Sequence, residues 1–249
     1  MLIAGFPAGP WGTNCYVAAT SAGAECVVID PGKDAAPGVA EVIREHRLKP
    51  IAVLLTHGHI DHMWSVTPVA GTYDATAWIH PSDRHLLSDP LAGISRESAA
   101  MLLGMPEGKF EFTEPDDVRE LADGVDLELA GLRFVVDHTP GHTAGSVTFR
   151  TPYLVDGTVQ ADVSEVMFSG DLLFEGSIGR TDLPGGDHPT MLRSLATKVL
   201  PLADDVVVLP GHGGQTSIGR ERATNPFLLE LLDDPDRTGS PAGRVTRGL

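Results

Sequence analysis

The chain has 249 residues, 42% of them apolar, and its 18 basic and 34 acidic residues give a formal net charge of −16. This length fits one large α/β domain, and the apolar fraction excludes disorder as the default state. The negative charge repels phosphate backbones, so we expect no nucleic-acid partner. No run reaches the roughly 18 apolar residues that a membrane span requires. We therefore expect a soluble cytoplasmic protein with no membrane partner.

The first part of the chain alternates strand and helix patterns. Apolar and β-branched residues predict strands over 14–20 and 25–30, and apolar residues at helical spacing predict a helix over 39–47. Residues 51–55 are apolar at every position, which predicts a strand buried on both faces of a helix-covered sheet. The polar cluster that begins at Thr56 therefore follows a central strand, where α/β folds place their functional sites.

Residues 82–123 are richer in Leu, Met, Ser and acidic residues than their surroundings. Helical spacing over 95–103 and an irregular acidic segment over 111–117 predict a largely helical insertion that borders a pocket. We therefore predict one domain over residues 1–233, interrupted by this insertion, and a flexible polar tail over 234–249.

The second half repeats the theme of short apolar strands that lead into loops with Gly, His or Asp. Two packed sheets with helices outside, an α/β sandwich, would gather these loops at one edge. The predicted elements are strands over 125–129, 132–137, 146–150, 163–169 and 206–209, and a helix over 190–199.

Residues 56–62, with the sequence THGHIDH, are the strongest signal in the chain. They bring the imidazoles of His57, His59 and His62 and the carboxylate of Asp61 into one short segment. Buried together without a metal, these groups would repel one another or leave polar atoms unsatisfied. Imidazole nitrogen and carboxylate oxygen are ligands for zinc, iron and manganese. One loop could thus serve two adjacent metals.

Three further strands are each predicted to lead into a glycine-flanked ligand residue. The predicted ligand sets are His57, His59 and His142 for one metal, Asp61, His62 and His212 for the second, and Asp171 as the bridge between them. Two divalent ions, zinc by preference and otherwise iron or manganese, would lower the pKa of a bridging water and polarise a substrate carbonyl. Asp61 and Asp171 would position the resulting hydroxide. Asp30, at a strand end, is predicted to orient a ligand histidine.

These motifs resemble the metallo-β-lactamase superfamily over residues 14–225. The resemblance implies an αββα sandwich of two mixed sheets, with the metals at one edge and a hydrolase activity. Residues 174–182, FEGSIGRTD, and 209–214, LPGHGG, resemble the glyoxalase II group. In that group a basic residue that matches Arg180 binds the carboxylate of the thiol carrier, so Arg180 is the candidate substrate-binding residue.

The chain also departs from the glutathione-using members of that group. Asp182 stands where those enzymes carry an aromatic residue, and Gly214 stands where they carry a tyrosine. We expect no counterpart of their C-terminal helical domain after His212. A buried ion pair of Arg180 with Asp182 or Asp187 is the alternative to carboxylate binding. The resemblance therefore implies thioester hydrolysis without implying glutathione as the carrier.

The leading hypothesis is hydrolysis of an S-2-hydroxyacyl thioester, such as a lactoyl-thiol, of a low-molecular-weight thiol by a metal-bridging hydroxide, as in methylglyoxal detoxification. Three alternatives are a mono-iron persulfide dioxygenase, a lactone or other ester hydrolase of the same fold, and a non-catalytic binding module. The complete second ligand set favours a hydrolase over the dioxygenase. The sequence makes no prediction of the oligomeric state.

Overall fold

The computed structural model describes residues 1–104, 111–155, 158–159 and 162–233. In these residues two six-stranded sheets pack face to face, with helices on both outer faces. The predicted αββα sandwich is therefore confirmed. None of the described helices is long and apolar enough to cross a membrane. The tail predicted over 234–249 lies outside the described residues.

The first sheet is formed by the N-terminal part of the chain, with its strands in sequence order. The first three strands are antiparallel and the remaining neighbours pair in parallel. Its strands are β1 (Leu2–Ala8), β2 (Thr13–Ala19), β3 (Glu25–Ile29), β4 (Lys49–Leu54), β5 (Thr76–Ile79) and β6 (Val118–Glu120). The helices between them are α1 (Ala35–His46), α2 (Ile60–Met63), α3 (Val66–Tyr73) and α4 (Arg96–Leu103), with 3₁₀ turns at Arg84–Leu87 and Pro90–Gly93.

The second sheet has the order β16-β15-β12-β9-β8-β7, and only its β12–β15 pair is parallel. Its strands are β7 (Asp126–Leu129), β8 (Leu132–His138), β9 (Val147–Pro152), β12 (Glu165–Gly170), β15 (Val207–Pro210) and β16 (Thr216–Ser217). Two small ribbons pair β10 (Leu154–Val155) with β11 (Thr158–Val159) and β13 (Leu173–Phe174) with β14 (Ser177–Ile178). The helices are α5 (His188–Ser194), which a π-helical turn at Leu195–Val199 continues, α6 (Ile218–Thr224) and α7 (Pro226–Asp233).

Apolar side chains from both sheets fill the space between them. Leu54 of the first sheet and Phe134, Phe149 and Phe168 of the second belong to this core and are fully buried. The Tyr16 ring meets Phe168 edge to face, with centroids 5.4 Å apart. Each fully buried phenylalanine stabilises the fold by about 1.5–3 kcal/mol, so this layer fixes how the sheets face each other.

Strand β4 is buried on both faces, as its continuous apolar sequence predicts. Ala52 and Leu54 point into the core between the sheets, and Val53 and Leu55 point into the cluster under the outer helices α1 and α3. Because β4 is central, the segment that follows it leaves the sheet at its middle and not at an exposed edge strand.

The insertion predicted over 82–123 is helical only in part. Its described residues form two 3₁₀ turns and α4, whose Ser95 side chain accepts a hydrogen bond from Ser98 N at the helix start. Residues 118–120 instead form β6, which pairs with β5 in the first sheet. The insertion therefore ends before Val118, because the chain must return to complete the sheet.

Candidate metal centre

The predicted ligand residues leave their strands at one edge of the sandwich. The 56–62 segment follows β4, His142 lies in the loop between β8 and β9, and Asp171 and His212 follow β12 and β15. Parallel pairing of β12 with β15 aligns Gly170 with Pro210, so the segments that follow these two strands leave the sheet side by side. All seven predicted ligand residues are brought together in one cluster, which three overlapping groups of ligand atoms describe.

The first group contains His57, His59 and His142, all buried, with ligand atoms within 4.8 Å of one another. The closest approach is 2.8 Å, between His59 Nδ1 and His142 Nε2. Three imidazole nitrogens at this separation can bind one zinc or iron ion and leave a coordination position free for water or substrate.

The second group contains Asp61, His62 and His212, again with ligand atoms within 4.8 Å. His212 Nε2 lies 3.1 Å and His62 Nε2 3.6 Å from Asp61 Oδ2. Thr13 Oγ1 donates a 3.1 Å hydrogen bond to the same carboxylate oxygen and helps to hold it.

Asp171 lies between the two groups. Its Oδ1 is 3.2 Å from His62 Nε2, and its Oδ2 is 3.6 Å from His142 Nε2 and 3.7 Å from His212 Nε2. One carboxylate thus faces histidines of both groups, which fits the predicted bridging position.

Several buried polar atoms that face the centre have no hydrogen bond within the described part of the chain. They include His57 Nε2, His62 Nε2 and Asp171 Oδ1. His62 Nε2 and Asp171 Oδ1 approach to 3.2 Å without forming a hydrogen bond. Buried polar atoms are nearly always satisfied in folded proteins, and metal coordination would satisfy these. The donor set therefore fits two divalent ions.

The outward nitrogens of three histidines are fixed by hydrogen bonds. His142 Nδ1 donates to the carbonyl oxygen of Arg180 at 2.7 Å, and His62 Nδ1 lies 3.0 Å from Asp30 Oδ2. His57 Nδ1 lies 3.1 Å from the hydroxyl of Thr56. With a proton on the outward Nδ1, each ring presents the lone pair of Nε2 to the centre.

Asp30 contacts a histidine of the cluster, as predicted from its position at a strand end. It is buried and also accepts hydrogen bonds from the backbone N–H and the hydroxyl of Thr56, at 2.8 and 2.6 Å. Through that hydroxyl Asp30 reaches His57 as well as His62. The role of Thr56 could not be predicted, because a threonine before a histidine motif gives no signal of its own.

Burial and mutual repulsion keep two histidines neutral. Burial, followed by the charge of His142, lowers the pKa of His59 to about 3, and burial with His62 and His142 lowers the pKa of His57. Burial alone would raise the pKa of Asp61, but His62 and His212 outweigh it and hold that pKa below its usual range. Neutral imidazole and ionised carboxylate are the forms that bind metal.

Arg180 lies at the rim of a pocket of about 490 Å³ that opens onto the centre. Its guanidinium donates to both carboxylate oxygens of Asp182, at 2.8 and 2.7 Å, and both side chains are more than half exposed. The predicted partner Asp182 is therefore found, but the prediction that the ion pair is buried is wrong, because the pair lies at the surface. The Arg180 hydrogen bonds lower the pKa of Asp182 to about 2.

The pocket walls are mostly apolar. Trp11 and Phe174 line it together with residues of the insertion and of the loop after β14, namely Ile94, Met101, Leu102 and Leu183. The insertion therefore borders the pocket, as its position in the sequence predicts. Apolar walls with a few convergent polar groups are typical of small-molecule sites.

Solved structures with the same fold include two that cover nearly the whole chain. The B3 metallo-beta-lactamase BLEG-1 has a TM-score of 0.75 at 38% identity and covers 91% of this chain and 99% of its own. TTHA1623 in a di-iron-bound form has a TM-score of 0.69 at 35% identity and covers 92% of this chain and 100% of its own.

A curated relative gives a third comparison. Hydroxyacylglutathione hydrolase GloC of Haemophilus influenzae is 34% identical over 207 residues, which are 81% of this chain and 86% of that protein. The sequence pattern of the Metallo-beta-lactamase superfamily matches residues 8–212. Because that span contains the whole His/Asp cluster and most of both sheets, the chain belongs to the metallo-beta-lactamase superfamily.

Proposed function

We propose that the protein is a cytoplasmic hydrolase of S-2-hydroxyacyl thioesters, such as the lactoyl thioester of a low-molecular-weight thiol. The observation that carries this proposal is a complete pair of ligand groups that opens onto a pocket with Arg180 at its rim. The similarity to hydroxyacylglutathione hydrolase GloC supports the same reaction class. In this role the protein would act in methylglyoxal detoxification.

We propose the same division of ligands between two metals that the sequence predicts. His57, His59 and His142 would hold one divalent ion, Asp61, His62 and His212 the other, and Asp171 both. Bound divalent ions supply a water of lowered pKa and polarise a carbonyl oxygen. Asp30 and the Arg180 carbonyl fix the outward nitrogens of His62 and His142, which orients both rings toward the centre.

The pocket lining suits both parts of a thioester substrate, the acyl group and the thiol that leaves. Its apolar walls exclude water from the acyl group and from the carbon atoms beside sulfur. The leaving thiolate is stable at neutral pH, so the reaction needs no strong general acid. This agrees with the pocket lining, which has no Lys and no carboxylic acid beyond the ligands Asp61 and Asp171 among the described residues.

Arg180 is the proposed contact for the thiol carrier, and Asp182 limits which carriers it accepts. An anionic carrier must displace two hydrogen bonds and then remain beside the Asp182 carboxylate. We therefore propose that the preferred carrier has no carboxylate at this point, which disfavours glutathione.

A second candidate is β-lactam hydrolysis, which the 38% identity to the B3 metallo-beta-lactamase BLEG-1 favours. The metal requirement would be the same, so substrate comparison must separate the two reactions. The metal content of the protein distinguishes a mono-iron persulfide dioxygenase from a hydrolase, because the dioxygenase would leave the second ligand group empty.

The test is thiol release from lactoyl thioesters of several cellular thiols, measured with protein of known metal content. We expect turnover with two metals per chain and its loss in His59→Ala and Asp171→Ala. A chromogenic β-lactam and a persulfide with oxygen consumption are run in parallel. Faster β-lactam opening than thiol release, or no thiol release from any carrier by the fully loaded protein, would contradict the proposal.

A further inference from the structure

A buried carboxylate outside the ligand set lies beside the centre. Asp83 follows β5, begins the 3₁₀ turn at Arg84–Leu87, and is 2% exposed. It comes from the start of the insertion and from none of the loops that carry the ligands.

Asp83 joins two of those loops. Its Oδ2 accepts hydrogen bonds from Gly58 N at 2.9 Å and from Thr143 Oγ1 at 2.6 Å, and its Oδ1 accepts one from Gly145 N at 2.7 Å. Gly58 separates His57 from His59, and Thr143 follows His142. The carboxylate thus lies between the backbone segments that present all three histidines of the first group.

The fit around this carboxylate is tight. A Cβ on Gly145 would lie 2.5 Å from Asp83 Cγ, so only glycine allows the loop to approach it. Ser146 Oγ lies 2.7 Å from Thr143 Oγ1, which holds the threonine toward Asp83.

The second group is held by other residues. Thr13 bonds to Asp61, Asp30 to His62, and Asn14 Nδ2 to the carbonyl oxygens on either side of His212, those of Pro210 and Gly213. Asp83 has no hydrogen bond to this second group among the described residues.

We propose that Asp83 is a positioning residue for one metal site only, the one formed by His57, His59 and His142. It sets the spacing of their nitrogens by holding the β4 loop against the β8–β9 loop. This inference rests on the proposed metal centre and not on the thioester activity, because its test measures metal affinity. The two proposals can therefore fail separately.

The expected magnitude follows from the hydrogen bonds. In Asp83→Asn one oxygen still accepts hydrogen bonds, but the new amide group faces an N–H donor, so at least one buried donor loses its partner. Loss of partners that orient metal ligands typically weakens metal binding by about 10- to 100-fold.

The experiment measures zinc dissociation constants in two single-site backgrounds, by competition with a chromogenic chelator. His212→Ala leaves the first group intact, and His142→Ala leaves the second. We expect Asp83→Asn to raise the dissociation constant by about tenfold or more in the His212→Ala background and by less than about twofold in the other. An equal rise in both backgrounds, or no rise in the first, overturns the proposal.

Two buried threonines provide a matched pair of controls. Thr143→Val removes one hydrogen bond to Asp83, and Thr13→Val removes one to Asp61. Both substitutions replace a hydroxyl group by a methyl group of similar size. We expect Thr143→Val to weaken only the first site and Thr13→Val only the second. If Asp83→Asn does not fold by circular dichroism, the threonine pair decides, and equal effects of both variants on both sites overturn the proposal.

Discussion

Gly211 lies between β15 and His212 and leaves no room for a side chain. A Cβ here would lie 2.4 Å from Asp171 Oδ1 and 2.5 Å from His62 Cε1. We expect Gly211→Ala to displace one of these ligands and to lower both the bound metal, measured by elemental analysis, and the turnover, by about tenfold or more.

Gly71 supplies the control for that substitution. It lies in α3, and apart from its chain neighbours and its own helix backbone no described atom comes within 4 Å of the position that an added Cβ would take, so alanine has room there. We expect Gly71→Ala to keep the metal content and to raise the free energy of unfolding by about 0.5–1 kcal/mol. Equal metal content in both variants would contradict the steric argument.

Asp182 gives a prediction about the thiol carrier. Asp182→Asn removes the negative charge beside Arg180, so we expect kcat/KM for lactoylglutathione to rise about two- to fivefold relative to the lactoyl thioester of N-acetylcysteamine. That range corresponds to the energy of an exposed ion pair. Asp116→Asn, an exposed site outside the pocket lining, removes the same charge and should leave the ratio unchanged. A ratio that does not move in Asp182→Asn would exclude Asp182 from carrier selection.

Single residues differ in how far the sequence reveals their roles. The ligands are predictable because their type is informative and each follows a strand. Asp83 is not, because its partners Gly58 and Thr143 lie 25 and 60 positions away and only the fold brings them together. The pairing of Arg180 with Asp182 is local and could be considered from the sequence, but the prediction of a buried pair is wrong, because only the fold shows that both residues lie at the surface.

At the scale of elements, α6 holds the ribbon that leads to Arg180. Glu221 on α6 is fully buried and accepts hydrogen bonds from Gly176 N at 2.8 Å, Thr216 Oγ1 at 2.6 Å and Asn225 Nδ2 at 2.9 Å. Gly176 is the turn between β13 and β14, and Arg180 follows β14. The helix therefore fixes the position of the pocket rim.

We expect Glu221→Ala to lower the free energy of unfolding by about 2–3 kcal/mol, because it leaves buried donors without acceptors. It should also raise KM and lower kcat, since the ribbon leads to the substrate contact Arg180, whose carbonyl oxygen also holds the ligand His142. Urea denaturation and steady-state kinetics measure the two effects. Glu41→Ala, on the exposed face of α1, should stay within about 0.5 kcal/mol of the parent, and equal stability of the two variants would refute the prediction.

The sequence predicts best those elements whose apolar residues follow a regular strand or helix spacing. Strands β2, β3 and β4 are found within two residues of their predicted bounds, and the helix predicted over 39–47 begins earlier, at Ala35. Strand β1, with its glycine and proline, and the short helices α6 and α7 were missed. The helix predicted over 190–199 is present as α5 and a π-helical turn.

At the scale of the whole molecule, the metal centre joins the two halves of the sandwich. The 56–62 segment follows a strand of the first sheet, and His142, Asp171 and His212 follow strands of the second. We expect a chelator to lower the melting temperature by about 5–10 °C, since a ligand at a hundred times its dissociation constant stabilises by about 2.7 kcal/mol. Differential scanning calorimetry with and without chelator measures this shift.

The single-site variant His212→Ala tests the cause of that shift. It keeps the first group of ligands, so the chelator should lower its melting temperature by less than that of the parent. An identical shift in both proteins would show that the second group does not contribute to metal-linked stability.

The distance along the chain between the ligands has a consequence for folding kinetics. Asp61 and His212 are 151 positions apart, yet their ligand atoms lie 3.1 Å apart in the folded protein. Each ligand group is complete only when loops from both sheets have met, so we expect a bound ion to contribute most of its stabilisation after the folding transition state. Bound metal should therefore slow unfolding and leave the refolding rate almost unchanged, so the ions would stabilise the native state kinetically.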